Sequence, residues 1–273
     1  MRRTLRSAIV VLACLVFCPA VGVGQQPPST NAGPPSSRDI TGFWAGESAV
    51  RLNPIPPLTP AGEAAYRANK ETVSRFAVAE SNDPFKFCDP LGVPRNLLFM
   101  TRGIAFAQMP DRMLQLHQFN RTWREIWTDG RRLPQSVGKV TTEVIVDPWR
   151  STFEVSTEPK WLGYSIGRWD GDRTFVVNTV GTRPDTWLTH MGHPHSVGLR
   201  VEERYTRLDR DTLELTVTID DPQMYTKPFV IARSTFKWIP AQQFDEQFCV
   251  PSEALAYLKM VGDPAGSSFR PIE

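Results

Sequence analysis

Three of the four histidines, His190, His193 and His195, fall within the run Thr189-His190-Met191-Gly192-His193-Pro194-His195-Ser196. Imidazole is both a common zinc ligand and the side chain that titrates near neutral pH, so the cluster offers two chemistries. In an extended segment His193 and His195 point to the same side. A loop that brings His190 round would then give three nitrogen ligands and leave a fourth position for water, whose pKa zinc draws towards neutrality. Without metal, His193 or His195 with Glu203 offers general acid–base catalysis. Ser196 follows His195 directly, but neighbours on a strand face opposite ways, so a serine nucleophile there needs a histidine from elsewhere, such as His117 or His193. No H-E-x-x-H motif fixes these ligands. The same run also reads as a Gly/Pro-containing surface loop, with Glu203 and Arg204 in cross-strand ion pairs.

Tryptophan is the second chemical signal. The chain has eight, six of them between Trp123 and Trp187. Large aromatics with a polar tip line pockets for ring-containing or amphiphilic molecules, which makes Trp123, Trp127, Trp169 and Trp187, with His117, the candidate ligand wall. Trp123 and Trp127 share a strand face with Glu125, as an interior wall of mixed polarity would require. The competing use of such residues is to fill a barrel and close its ends.

The elements that must hold these groups follow from the chain's layout. Its 273 residues carry a formal charge of +2, with 41% hydrophobic and 22% charged residues, an ordinary globular composition. That balance lacks the basic excess of a nucleic-acid binder. Arg2, Arg3 and Arg6, the apolar run from Ala8 to Phe17 and the small residues Gly22-Val23-Gly24 form the pattern of a cleaved secretory signal over residues 1–24. Its removal takes away three Arg and no acid, moving the formal charge from +2 to −1. It also leaves only Cys88 and Cys249, which in an oxidising compartment are expected to form a disulfide; a redox-active pair would have no C-x-x-C spacing behind it. The expected location is the periplasm or the outside of the cell.

Residues 25–38, rich in Pro, Ser, Gln and Gly, read as a disordered leader, and residues 39–273 as one β-barrel domain. Thr59-Pro60 is a helix start, and Ala61 to Val78 is the one expected helix. From Leu98 onward short alternating segments are separated by tight turns such as Asp129-Gly130 and Asp170-Gly171. The cleanest stripes are Leu213, Leu215, Val217 and Ile219 against polar neighbours, and Phe175, Val177 and Thr179. The expected fold is mainly β: an antiparallel, lipocalin-like β-barrel or a β-sandwich, closure being favoured because it removes exposed edges. Pro-rich connections and charges on both strand faces argue against stable insertion as an outer-membrane barrel.

Gly42-Phe43-Trp44 resembles the Gly-x-Trp that opens the first strand of lipocalins. That resemblance implies a tryptophan closing the barrel floor against a basic side chain of the last strand, here Arg233 or Lys237. A helix after the first strand, and Gly130 where a Tyr would complete the second lipocalin motif, make this a barrel analogy. The chain also resembles a large set of exported bacterial proteins of unassigned function, through Cys88 to Arg95, Ser165 to Asp172, and His195-Ser196 followed by Glu203-Arg204-Tyr205. Two functions are therefore expected. The first is an exported barrel that binds a small hydrophobic or aromatic molecule in a Trp-lined cavity. The second is a barrel hydrolase, isomerase or cyclase that works on such a molecule with the histidine loop, by acid–base chemistry or with zinc.

Overall fold

The computed structural model describes residues 38–50, 55–71, 80–98, 103–138, 144–146, 152–154, 157–240, 242–257 and 259–260. The expected signal segment, the leader apart from Arg38, and Trp149 lie outside them.

Alternating sequences between tight turns form strands, and here nine of them close on themselves. They are β1 (Gly42–Val50), β2 (Ile104–Gln108), β3 (Arg112–His117), β4 (Trp123–Trp127), β7 (Tyr164–Asp170), β8 (Thr174–Val180), β9 (Arg200–Arg207), β10 (Thr212–Asp220) and β11 (Phe229–Trp238). The order round the barrel is β1-β11-β10-β9-β8-β7-β4-β3-β2. A separate hairpin pairs β5 (Val144–Val146) with β6 (Thr152–Glu154). The protein is thus mainly β, with a closed barrel and two short α-helices among the described residues, α1 (Pro60–Ala68) and α2 (Pro251–Tyr257). None of its helices there is long and apolar enough to cross a membrane.

One join departs from the expected antiparallel pattern. β4 and β7 run parallel, through only Ile126↔Ser165 and Trp127↔Ile166. A parallel join needs a long crossover, and the chain from Thr128 to Gly163, which contains β5 and β6, supplies it. Gly167 lets the two sides approach: a Cβ there would lie 2.4 Å from the Phe175 ring and 2.8 Å from Ile126.

The stripes read from sequence face inward. Leu213, Leu215, Val217 and Ile219 are fully buried, as are Phe175 and Val177, and they join Trp44, Phe106, Met113, Ile126, Tyr205 and Phe236 in one core. Thr59 caps α1 as expected, accepting from the Gly62 amide at 3.1 Å behind Pro60. The helix stops at Ala68, well short of the expected Val78, because Asn69 turns extended and donates its side-chain amide to the Gly192 carbonyl at 2.8 Å. A tertiary contact, not propensity, sets that end; residues 72–79 lie outside the described residues.

Trp44 is fully buried, with its indole N–H donating to the Ile40 carbonyl at 2.8 Å. The basic partner over its ring is Arg207 of β9, at 5.5 Å, rather than Arg233 or Lys237. Arg207 also donates to the carbonyls of Asp39, Asp209 and Arg210, tying the start of the domain to the β9–β10 turn. Arg233 is exposed, and Lys237 donates to Thr212 at 2.8 Å.

Cys88 and Cys249 are joined by a disulfide across 161 residues. It holds the segment after β11 against the barrel. There Phe244 packs edge-on to Phe43, Gln118 donates to Asp245 at 2.8 Å, and the Cys249 amide donates to Asn120 at 3.0 Å.

Candidate functional site

The histidine loop connects β8 to β9, and the structure does not assemble a metal site in it. His195 is buried, with Nδ1 donating to the Ser196 carbonyl at 3.0 Å and Nε2 at 2.8 Å from the Thr186 hydroxyl. His193 stacks on Tyr66 of α1, ring centroids 5.3 Å apart, and bonds to Thr189 through Nδ1 at 2.7 Å. His190 is half-buried. Among the described residues no group of three His, Cys, Asp or Glu is placed to hold a metal ion. Packing decides this: the loop is pinned by Ser196 to Asp221 (2.6 and 2.8 Å) and by Tyr225 to the Pro194 carbonyl (2.9 Å). Burial holds the His195 pKa below the ordinary imidazole value, against the opposing pull of the Ser196 carbonyl, Asp221 and Asp185.

Glu203 is not in that loop's company. It faces the barrel interior, fully buried, and is ion-paired with Arg124 of β4. Arg124 also donates to Gln115 of β3 at 2.6 Å and to Thr179 of β8 at 3.2 Å. Gln115 donates to the Tyr205 hydroxyl at 2.7 Å, and that hydroxyl donates to Glu203 at 2.6 Å. Ser165 of β7 completes the network at 2.8 Å from Thr179. Burial works against the Arg124 charge, but Glu203 and Tyr205 outweigh it and raise its pKa. Burial, then the Glu203 charge, push the Tyr205 phenol well above its usual value. The network spans β3, β4, β7, β8 and β9, so it bridges the parallel join from inside.

That register reverses the expected face of β4. Arg124 and Ile126 point inward, while Trp123, Glu125 and Trp127 point out. Outside, where the short β4–β7 pairing ends, lies a cleft of about 670 Å³. Its walls are Trp123 and Trp127 on β4, Arg131 to Pro134 after the Asp129-Gly130 turn, and Pro159 to Ile166 with Arg183 on the far side. Gly130 sits at φ +84°, which its lack of a Cβ permits.

The cleft's tryptophans are not equivalent. The guanidinium carbons of Arg112 and Arg131 lie 3.6 and 3.3 Å from the centre of the Trp127 ring. Two guanidinium groups cannot both fit that close on one side, so they cover opposite faces, leaving only an edge of Trp127 for a ligand. Arg183 covers one face of Trp161 at 4.0 Å. Trp123, by contrast, is 58% exposed and borders both this cleft and a smaller cavity of about 230 Å³ on its other side. That cavity is lined by His117, Arg121 and Phe244.

His117 is 3% exposed, and neither ring nitrogen has a hydrogen-bond partner. Burial, then the Arg124 charge, push its pKa down to about 3. An unfolded chain takes up the proton near the ordinary imidazole value of 6.5, whereas the folded protein refuses it until about 3. This part of the stability is therefore present above pH 6.5 and lost as pH falls towards 3. Lowering the pH from 7 to 5 is expected to cost about 2 kcal/mol through His117. Urea titrations should show His117→Gln losing about that much less than wild type over the same interval; equal losses would remove His117 as the cause.

Of the expected ligand wall, the structure therefore brings Trp123, Trp127 and His117 to neighbouring hollows and takes two residues elsewhere. Trp169 packs on Phe175 at 5.3 Å at the edge of the core, and Trp187 is buried with Arg95 over it at 5.5 Å. Sequence reasoning did not place Arg131, Arg132, Lys160, Trp161 or Arg183 in a site. The available signal was Arg131-Arg132 after Asp-Gly and Lys160-Trp161 before a strand, but only the parallel join brings the two stretches together. The chain matches no protein-family model and no curated protein.

Proposed function

We propose that this is an exported barrel protein that binds a small hydrophobic, ring-containing molecule in the β4–β7 cleft, on the outer wall of the barrel. The observation that carries the reading is Trp123, a large apolar side chain left 58% exposed at the rim of a hollow of about 670 Å³. The size suits a single small ligand, and most of the aromatic load elsewhere is consumed by packing. The N-terminal signal pattern and the Cys88–Cys249 disulfide support export. Catalysis at the histidine loop lacks comparable support, since His193 and His195 are both engaged in holding the loop.

The neutral fluorescent probe N-phenyl-1-naphthylamine tests the proposal. Saturable binding is expected, weakened about tenfold by Trp123→Ala, as befits loss of about 1.4 kcal/mol of aromatic contact. Because Trp123 is exposed, the variant should fold within about 0.5 kcal/mol of wild type. No saturable binding, or binding indifferent to this substitution, would overturn the reading.

A further inference from the structure

The charges around the cleft go beyond what a neutral aromatic ligand needs. Five cations line it, Arg124, Arg131, Arg132, Lys160 and Arg183, against the single carboxylate of Glu125. Three of the five are spoken for: Arg124 by Glu203, Arg131 by Asp129 at 2.6 Å, and Arg183 by Asp185 at 2.6 Å. Glu125 is likewise bound, by Arg112 at 2.6 Å. That leaves Arg132, from the segment after β4, and Lys160, from the segment before β7, with no carboxylate in ion-pair reach among the described residues.

Lys160 is carried on fixed backbone. The Lys160 amide donates to the Gly181 carbonyl at 2.9 Å, and its own carbonyl accepts from Arg183 at 3.0 Å. Its ammonium lies 4.4 Å from the centre of the Tyr164 ring, which orients it without neutralising it. Arg132 follows Arg131, which Asp129 anchors through both of its carboxylate oxygens. Two cations with no ion-pair partner among the described residues thus flank a tryptophan-rimmed hollow in a chain whose formal charge is only +2. Like charges lining one hollow repel each other, and an anion bound there relieves that repulsion.

We infer that the cleft takes a planar aromatic molecule bearing an anionic group, a carboxylate or sulfonate, with the ring against Trp123 and the anion between Arg132 and Lys160. The inference rests on the binding proposed above and adds the chemical class of the ligand.

A matched pair of probes separates the two ideas: 8-anilinonaphthalene-1-sulfonate, which is anionic, and neutral N-phenyl-1-naphthylamine. The full-length mature protein is expected to bind the sulfonate about tenfold more tightly at low salt, with most of that advantage lost in about 0.5 M sodium chloride. Lys160→Gln and Arg132→Gln should each weaken sulfonate binding about threefold to tenfold and the neutral probe by less, whereas Trp123→Ala should weaken both alike. If the neutral probe binds and responds to Trp123→Ala but the sulfonate gains nothing, the anion is refuted and aromatic binding stands. Sulfonate binding insensitive to all three substitutions would place the dye elsewhere and overturn the inference. If neither probe binds, the underlying reading fails with it.

Discussion

Glu203→Ala is expected to destabilise the barrel by about 3–5 kcal/mol, because it strands the Arg124 guanidinium, only 3% exposed, without its counter-charge. The loss should exceed that of a surface ion pair such as Arg204–Asp170, whose partners are 36% and 52% exposed and whose removal should cost under about 1 kcal/mol. Position adds to the effect. Arg124 sits on β4 and reaches Glu203 on β9 and Thr179 on β8, so it closes from within a join that backbone pairing holds at only two registers. Glu203→Gln keeps the shape and the contact with Tyr205 but removes the charge, and should lose a comparable amount. The double replacement Arg124→Met with Glu203→Leu should recover most of the loss, since neither charge then has to be taken out of water. Urea unfolding of the four proteins at pH 7 gives the comparison; single variants within about 1 kcal/mol of wild type would show that the pair does not hold the join.

Replacing Cys88 and Cys249 together by serine should lower stability by about 5 kcal/mol on the chain-entropy account, because a loop of 161 residues is no longer closed in the unfolded chain. The same substitution should loosen the segment from Gln242 to Val250, which is otherwise held by Phe244 on Phe43, Gln118 on Asp245 and Asn120 on the Cys249 amide. Hydrogen exchange in that segment should then rise more than in β8 to β10, whose pairing does not depend on it. A loss below about 1 kcal/mol, or exchange that rises uniformly over the barrel, would count against this role.

Phe244 walls the His117 cavity, and Trp123 is shared between that cavity and the larger cleft, so the disulfide-held segment supports one side of the proposed binding region. Loss of the disulfide should therefore weaken probe binding less than Trp123→Ala does, since the larger cleft does not include Phe244.

Sequence alone determined the parts of this protein that rest on local physics. Alternation at Leu213 to Ile219 and Phe175 to Thr179 named the buried stripes, Thr59-Pro60 named a helix start, and elimination among the cysteines named the Cys88–Cys249 bond. Each depends on neighbours in the chain or on counting, and so survives without coordinates. The tertiary structure decided the rest. Trp-Arg-Glu-Ile-Trp puts two tryptophans and a glutamate on one face and an arginine and an isoleucine on the other, and its facing was settled by a carboxylate 79 residues away that lets Arg124 be buried. The histidine run is chemically suggestive, yet α1 and Asp221 draw its rings and Ser196 into packing. The cleft itself exists because β4 and β7 meet in parallel after a long crossover, a pairing that no local pattern encodes.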